Sequence, residues 1–171
     1  MRNRFMSIAN FLVRSAKALW HLRRAPYSRR AKIKIAVAYL KLSFISAFYA
    51  PLSGIKSAAF LGFRVEAFEF ASIRFFFEEV FCKAEYFFRS REPRPIVLDC
   101  GANIGFATLY FKWLYPDAII YTFEPDKRTF DLLEKNIQLN GFHDILCFNQ
   151  AVGQTNGTTQ FYVDLENPGS W

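Results

Sequence analysis

The sequence predicts an α/β chain in which a parallel sheet wound with helices follows a basic helical region. Three observations carry this. From residue 96 onward, short apolar runs alternate with longer helical patterns, the signature of parallel strands joined by helical crossovers. Before that, an amphipathic helical period runs over residues 4–24. Charge is divided between the two parts: residues 1–65 hold 13 Lys or Arg and no acid, while residues 66–171 hold 9 basic residues against all 15 acids. At 171 residues, 52% hydrophobic and 19% aromatic, the chain has enough apolar matter for a proper core, which excludes global disorder.

Three regions follow: a basic, amphipathic helical region over 1–58, a strand hairpin with an aromatic lead-in helix over 59–94, and the sheet over 95–171. In the first, Phe5, Ile8, Leu12, Leu19 and Leu22 recur at spacings of three, four and seven, with Arg14, Lys17 and Arg24 on another face. Such a helix fits an anionic membrane interface, with a docked surface helix or a transit peptide as alternatives. The apolar stretch 33–55 is interrupted by Lys34 and Lys41 and broken by Pro51. Its uncharged run falls short of the roughly 20 residues a span requires. We expect no transmembrane helix and a cytoplasmic chain, peripheral at a membrane.

Residues 59–70 alternate as a hairpin turning at Gly62, and 72–88 read as a helix packed by aromatics. Segment 89–95, charged and bearing two prolines, is a boundary. Strands are then expected at 96–100, 118–123, 145–150 and 158–164, with helices at 104–115 and 126–140, the latter ended by Gly141. Cys82, Cys100 and Cys147 form no CxxC, and with only His21 and His143 no metal site assembles from recognised spacings. The thiols are read as reduced and mostly buried. No base lies near Cys100 to make it a nucleophile.

Ligands of an open parallel sheet bind beyond the carboxyl ends of its strands. Residues 99–105 occupy that place. Gly101 lets backbone approach a ligand, Gly105 lets the helix start tight against the strand, and Asn103 tolerates a left-handed turn. Glu124, ending the second strand, can accept hydrogen bonds from ribose hydroxyls. The frame D-x-G-x-N-x-G sets Asp99 two positions before the first glycine, where an anion repels a pyrophosphate but suits an amino group. There is no G-K-[ST] phosphate loop. Charge logic favours S-adenosylmethionine, which is zwitterionic at its methionyl end and cationic at sulfur.

"VLDCGANIGFATLYF", "YTFEPD", "NIQLNG" and "NQAVG", in this order, resemble the FkbM-type methyltransferases, of the class I S-adenosylmethionine-dependent fold. The resemblance runs from about residue 60 to 164, most sharply over 97–153. It implies a Rossmann-like, doubly wound parallel sheet and O-methylation, commonly of sugar hydroxyls in glycans, glycolipids or natural products. Carried over by residue, Asp99, Gly101, Asn103 and Gly105 form the cofactor loop, Glu124 binds the ribose, and Gln150 and Ala151 lie near the adenine. Asn136 and Asn140 are read as structural, His143 as a surface residue, and Glu78, Glu79 and Tyr86 as packing rather than acceptor-pocket residues.

The family has seven strands and a later motif resembling K-I-D-V-E-G; this chain supplies about four strands and lacks the motif. The sheet is thus expected to be incomplete at its C-terminus. The catalytic groups are unassigned, and the chain alone should bind cofactor weakly and turn nothing over. The acceptor would be a small molecule or glycan. The reading of another class is a non-catalytic membrane-surface or interaction module, and nucleic-acid binding ranks last, because the aromatics keep core spacing.

Overall fold

Helix α1 spans Arg2–Arg24, over the acid-free stretch whose period is helical. The computed structural model describes residues 2–50, 56–155 and 157–158, with side chains from residue 8 onward. The chain divides into two compact units, Met1–Phe88 and Arg89–Trp171. The helices of 1–58 and the hairpin and lead-in helix that follow them share the first unit.

In that unit α1 buries Ser15, Ala18 and Leu22, with Ala25 just beyond its end. Of the apolar face read from the sequence, Leu22 is inside and Leu19 half-buried, Ile8 and Leu12 are exposed, and Phe5 lies outside the described side chains. Helix α2, Arg29–Phe44, begins at Ser28, whose Oγ accepts the Ala31 N–H at 3.3 Å. It starts earlier than the apolar run and passes into a π turn, Ile45–Tyr49. Residues 51–55 lie outside the described residues.

Strands β1, Ser57–Phe60, and β2, Phe63–Glu66, pair antiparallel through Leu61 and Gly62, both with positive φ, as two-residue hairpins require. Helix α3, Phe70–Phe77, continues as a second π turn, Glu78–Cys82. It stops there, short of the expected residue 88, because Ala84 takes a left-handed backbone (φ 60°) that no helix can propagate. Phe77 and Phe81 stack at 4.8 Å in this core, and Phe60 meets Phe77 edge-on. Tyr39 donates to Glu78 Oε2 at 2.8 Å, and burial together with that bond pushes the phenol up to about 12.

The second unit has a Rossmann-like α/β arrangement: β3 (Ile96–Cys100), α4 (Phe106–Leu114), β4 (Ile119–Phe123), α5 (Lys127–Leu139) and β5 (Ile145–Phe148). The strands are parallel in the order β3-β4-β5. Asp126 caps α5, accepting the Thr129 N–H at 2.9 Å, and Gly141 (φ 67°) ends it. β5 stops at Phe148 rather than 150, because Asn149 turns back and its Nδ2 donates to the Glu124 and Pro125 carbonyls at 2.9 and 3.0 Å. The expected strand 158–164 falls almost wholly outside the described residues.

Register puts Val97, Asp99, Ile120, Thr122, Ile145 and Cys147 on one face of the sheet, and α4 and α5 pack there. On the opposite face Ile96 and Leu98 are 68% and 65% exposed. Under α4, the buried Lys112 ammonium donates to the Pro116 and Ala118 carbonyls at 2.8 Å each and pairs with Asp144. Three acceptors thus offset the cost of burying the cation. Replacing Lys112 with Met should lower stability by about 1–3 kcal/mol in urea unfolding, since it leaves those acceptors without a donor. Lys127→Met, which breaks an exposed pair with Asp131, should change little; equal effects would refute the assignment.

Candidate functional site

At the C-terminal end of the sheet, β3 runs into a turn in which Gly101, Asn103 and Gly105 all have positive φ (83°, 51° and 94°). Left-handed backbone here is what the glycines and asparagine permit. Gly105 also has no room to spare: a Cβ on it would lie 2.9 Å from Leu133 Cδ1 of α5. Gly101 is the opposite case, with nothing within 4 Å of where its Cβ would stand.

The five N–H groups of this turn all have acceptors within the protein. Gly101 and Ala102 donate to the Phe123 carbonyl at 2.8 and 3.0 Å, and Gly105 to Ala102 at 2.9 Å. Asn103 donates to Glu124 Oε2 at 2.9 Å, and Ile104 to Asn103 Oδ1 at 2.8 Å. Phosphate-binding loops direct such groups at the ligand. This one turns them inward.

Glu124 is fully buried. Its Oε1 accepts the Asp126 N–H at 3.0 Å while Oε2 holds Asn103, so one carboxylate fastens the loop after β3 to the start of α5. Burial pushes its pKa up, against the two backbone N–H bonds; the charges of Asp126 and Asp99 add to the rise. Asp99 points to the helix-covered face and accepts the Thr108 hydroxyl at 2.6 Å. Burial raises it also, opposed by that bond.

A cavity of about 210 Å³ opens beside the loop, lined by Cys100, Gly101, Phe123, Pro125, Gln150, Ala151 and Val152. The structure therefore brings Gly101, Gln150 and Ala151 together at one opening. Asp99, Asn103, Gly105 and Glu124 lie behind it, shaping the loop. Cys100, Phe123, Pro125 and Val152 also line it, which the sequence reading did not assign, although Cys100 and Phe123 are the last residues of adjacent strands, which was the available signal. Cys100 is exposed, contrary to a mostly buried set of thiols, while Cys82 is buried and Cys147 half-buried. Asn136 is structural, donating to the Ile104 carbonyl at 2.8 Å, and Asn140 donates to Asn136. His143 is exposed. Among the described residues no three His, Cys, Asp or Glu side chains converge as metal ligands, and no helix is long and apolar enough to cross a membrane.

Fold and site together define a ligand cleft at the carboxyl end of parallel strands. No protein-family profile matches the chain. It is similar to "Methyltransferase sdnD" of Sordaria araneosa, 39% identical over 67 residues, which cover 39% of this chain and 26% of that protein. It is also similar to "Methyltransferase 1" of Beauveria bassiana (strain ARSEF 2860), 26% identical over 98 residues, 57% of this chain and 39% of the relative. The matches thus span well under half the length of these curated relatives. Among solved structures, P. horikoshii TYW2 in complex with MeSAdo overlaps 63% of this chain and 47% of its own, at a TM-score of 0.40 and 19% identity. Coclaurine N-methyltransferase bound to N-methylheliamine and SAH overlaps 82% and 44%, at 0.35 and 12%.

Two outcomes follow from this geometry. Gly105→Ala should destabilise the unit by about 1–3 kcal/mol, combining the left-handed strain with the Leu133 contact; Gly101→Ala, with open space, should show the strain alone and cost less. The raised acids set a pH dependence. Their contribution is fully present below the ordinary values of 3.8 for Asp99 and 4.5 for Glu124, and is lost as pH rises through the raised folded values. Urea unfolding across this range should show wild-type stability falling with pH more steeply than in Asp99→Asn; superimposable curves would remove Asp99 from the account.

Proposed function

We propose that the second unit is the cofactor half of an S-adenosylmethionine-dependent O-methyltransferase of FkbM type. Its acceptor would be a sugar hydroxyl of a glycan, glycolipid or natural product, and the protein would work in the cytoplasm at a membrane surface. The observation that carries this is the loop whose five N–H groups are all engaged internally beside an open, mainly apolar cavity. A pyrophosphate would find no free donor on that turn, whereas an adenine-bearing sulfonium ligand needs apolar walls, a close backbone and a nearby amide. The motif resemblance over residues 97–153 and the methyltransferase names of the two curated relatives support the same reading.

When bound, S-adenosylmethionine would supply an electrophilic methyl on its sulfonium, with the neutral thioether as leaving group. The residues present fit the cofactor's binding: Gly101 leaves its backbone open, and Phe123 and Pro125 provide apolar walls. We assign Gln150 and Ala151 to the adenine. Asn103 and Gly105 fix the turn, Asp99 holds the first helix through Thr108, and Glu124 is assigned the ribose hydroxyls as well as the loop. Rate would come from holding the acceptor at near-attack distance. A base for its proton would also be required.

Calorimetry with S-adenosylmethionine tests the assignment. Wild type should bind, and Ala151→Phe, which fills the cavity from an exposed position, should weaken binding at least tenfold with circular dichroism unchanged. Glu124→Gln should lose affinity beyond its loss of stability. A chain that preferred NAD, or an Ala151→Phe variant that bound as wild type does, would sink the proposal.

A further inference from the structure

The inner faces of α1 and α2 account for only part of their apolar side chains. α1 carries a second stripe, Ala9, Leu12, Val13, Ala16 and Trp20, at helical spacing and entirely exposed. Val13 is 68% exposed. Lys17, Arg23 and Arg24 border the stripe, with the Arg24 guanidinium 3.5 Å from the centre of the Trp20 ring. On α2, Ile33, Val37 and Phe44 repeat the pattern on the side away from buried Ile35, Tyr39 and Leu42, bordered by Arg30, Lys34 and Lys41. The two helices form an antiparallel pair: Lys32 Nζ donates to the Arg23 carbonyl at 2.7 Å, and Phe11 meets Phe44 at the other end.

Single exposed apolar residues are ordinary. Two stripes in register with their helices, bordered by cations alone, are not. No Asp or Glu occurs before Glu66. Farther along the unit, Glu78 is paired with Arg74, and Glu79 and Glu85 with Lys83, so those acids are already engaged.

We propose that the outer faces of α1 and α2 are a docking surface for an anionic lipid bilayer. Leu12, Val13, Trp20, Ile33, Val37 and Phe44 would enter the headgroup boundary, and the flanking Lys and Arg would meet lipid phosphates. A bilayer is favoured over nucleic acid because a polyphosphate uses the cations and has no use for the exposed aliphatic stripes. The inference names the residues behind the peripheral placement proposed above and does not depend on the methyl-transfer chemistry.

The test is flotation of the full chain with phosphatidylglycerol–phosphatidylcholine vesicles against pure phosphatidylcholine, with cofactor binding measured in parallel. At least tenfold preference for the anionic vesicles is expected, weakening as salt rises. Val13→Asp with Val37→Asp should cut the bound fraction at least fivefold with circular dichroism unchanged, and Lys17→Glu with Lys34→Glu should do likewise. If the aspartates disturb folding, Val13→Ser with Val37→Ser replaces them. Absence of vesicle binding, equal binding to neutral vesicles, or undiminished binding by folded Val variants would overturn the proposal, as would duplex DNA displacing the chain. Cofactor binding that persists through such a failure leaves the methyltransferase reading intact.

Discussion

One buried carboxylate holds the second unit's functional end together. Glu124 stands where three pieces of chain must converge: the end of β4, the turn after β3 and the first residue before α5. Each of its oxygens takes one backbone N–H, from Asn103 and from Asp126. The chemistry leaves little choice of side chain. Glutamine would offer one acceptor and turn an NH₂ toward the other donor, and an apolar residue would leave both N–H groups without that acceptor. Burying the acid raises its pKa, yet the same burial strengthens the bonds that fix the loop.

With the loop fastened in this way, its conformation does not wait for a ligand. Gly101, Asn103 and Gly105 each take a backbone few residues accept, and the strain is held by the Phe123 carbonyl, Glu124 and α5 packing on Gly105. The cost of ordering the site is met in folding, so a ligand meets a preformed edge. What stays open is the cavity side, where nothing lies within 4 Å of the place a Cβ on Gly101 would take and Phe123 stacks on Phe148 at 5.1 Å.

The sheet was legible because its signals are local. Apolar strands and Gly141 fix β3 through β5 almost residue by residue, and the hairpin at Gly62 announces itself the same way. Residues 101–105 could be placed at the ligand end from strand order alone. Side-chain direction could not. Asp99 and Glu124 both stand at strand ends; the structure turns Asp99 to Thr108 and sets Glu124 against the N–H groups of Asn103 and Asp126. The stop before Ala84 was not legible because alanine carries no breaker signal, although its backbone is left-handed. The residues that α1 buries were not legible either: hydrophobicity alone ranks Leu12 above Ser15, yet Ser15 is inside and Leu12 exposed.

Two lysines show how context, not residue type, assigns a charge its task. Lys112 sits beneath a helix with two carbonyls and a carboxylate around its ammonium, so its charge is consumed in holding the turn after α4 to the start of β5. Lys34 lies on an exposed helical face in a segment without a single acid. Satisfying it inside the protein would have required one Asp or Glu four residues away, a substitution worth a few tenths of a kcal/mol to the helix. No position in the first 65 residues makes that substitution. Exposed cations with no acid in the same stretch of sequence, beside exposed aliphatic side chains, are complementary to a surface that offers both phosphate and hydrocarbon.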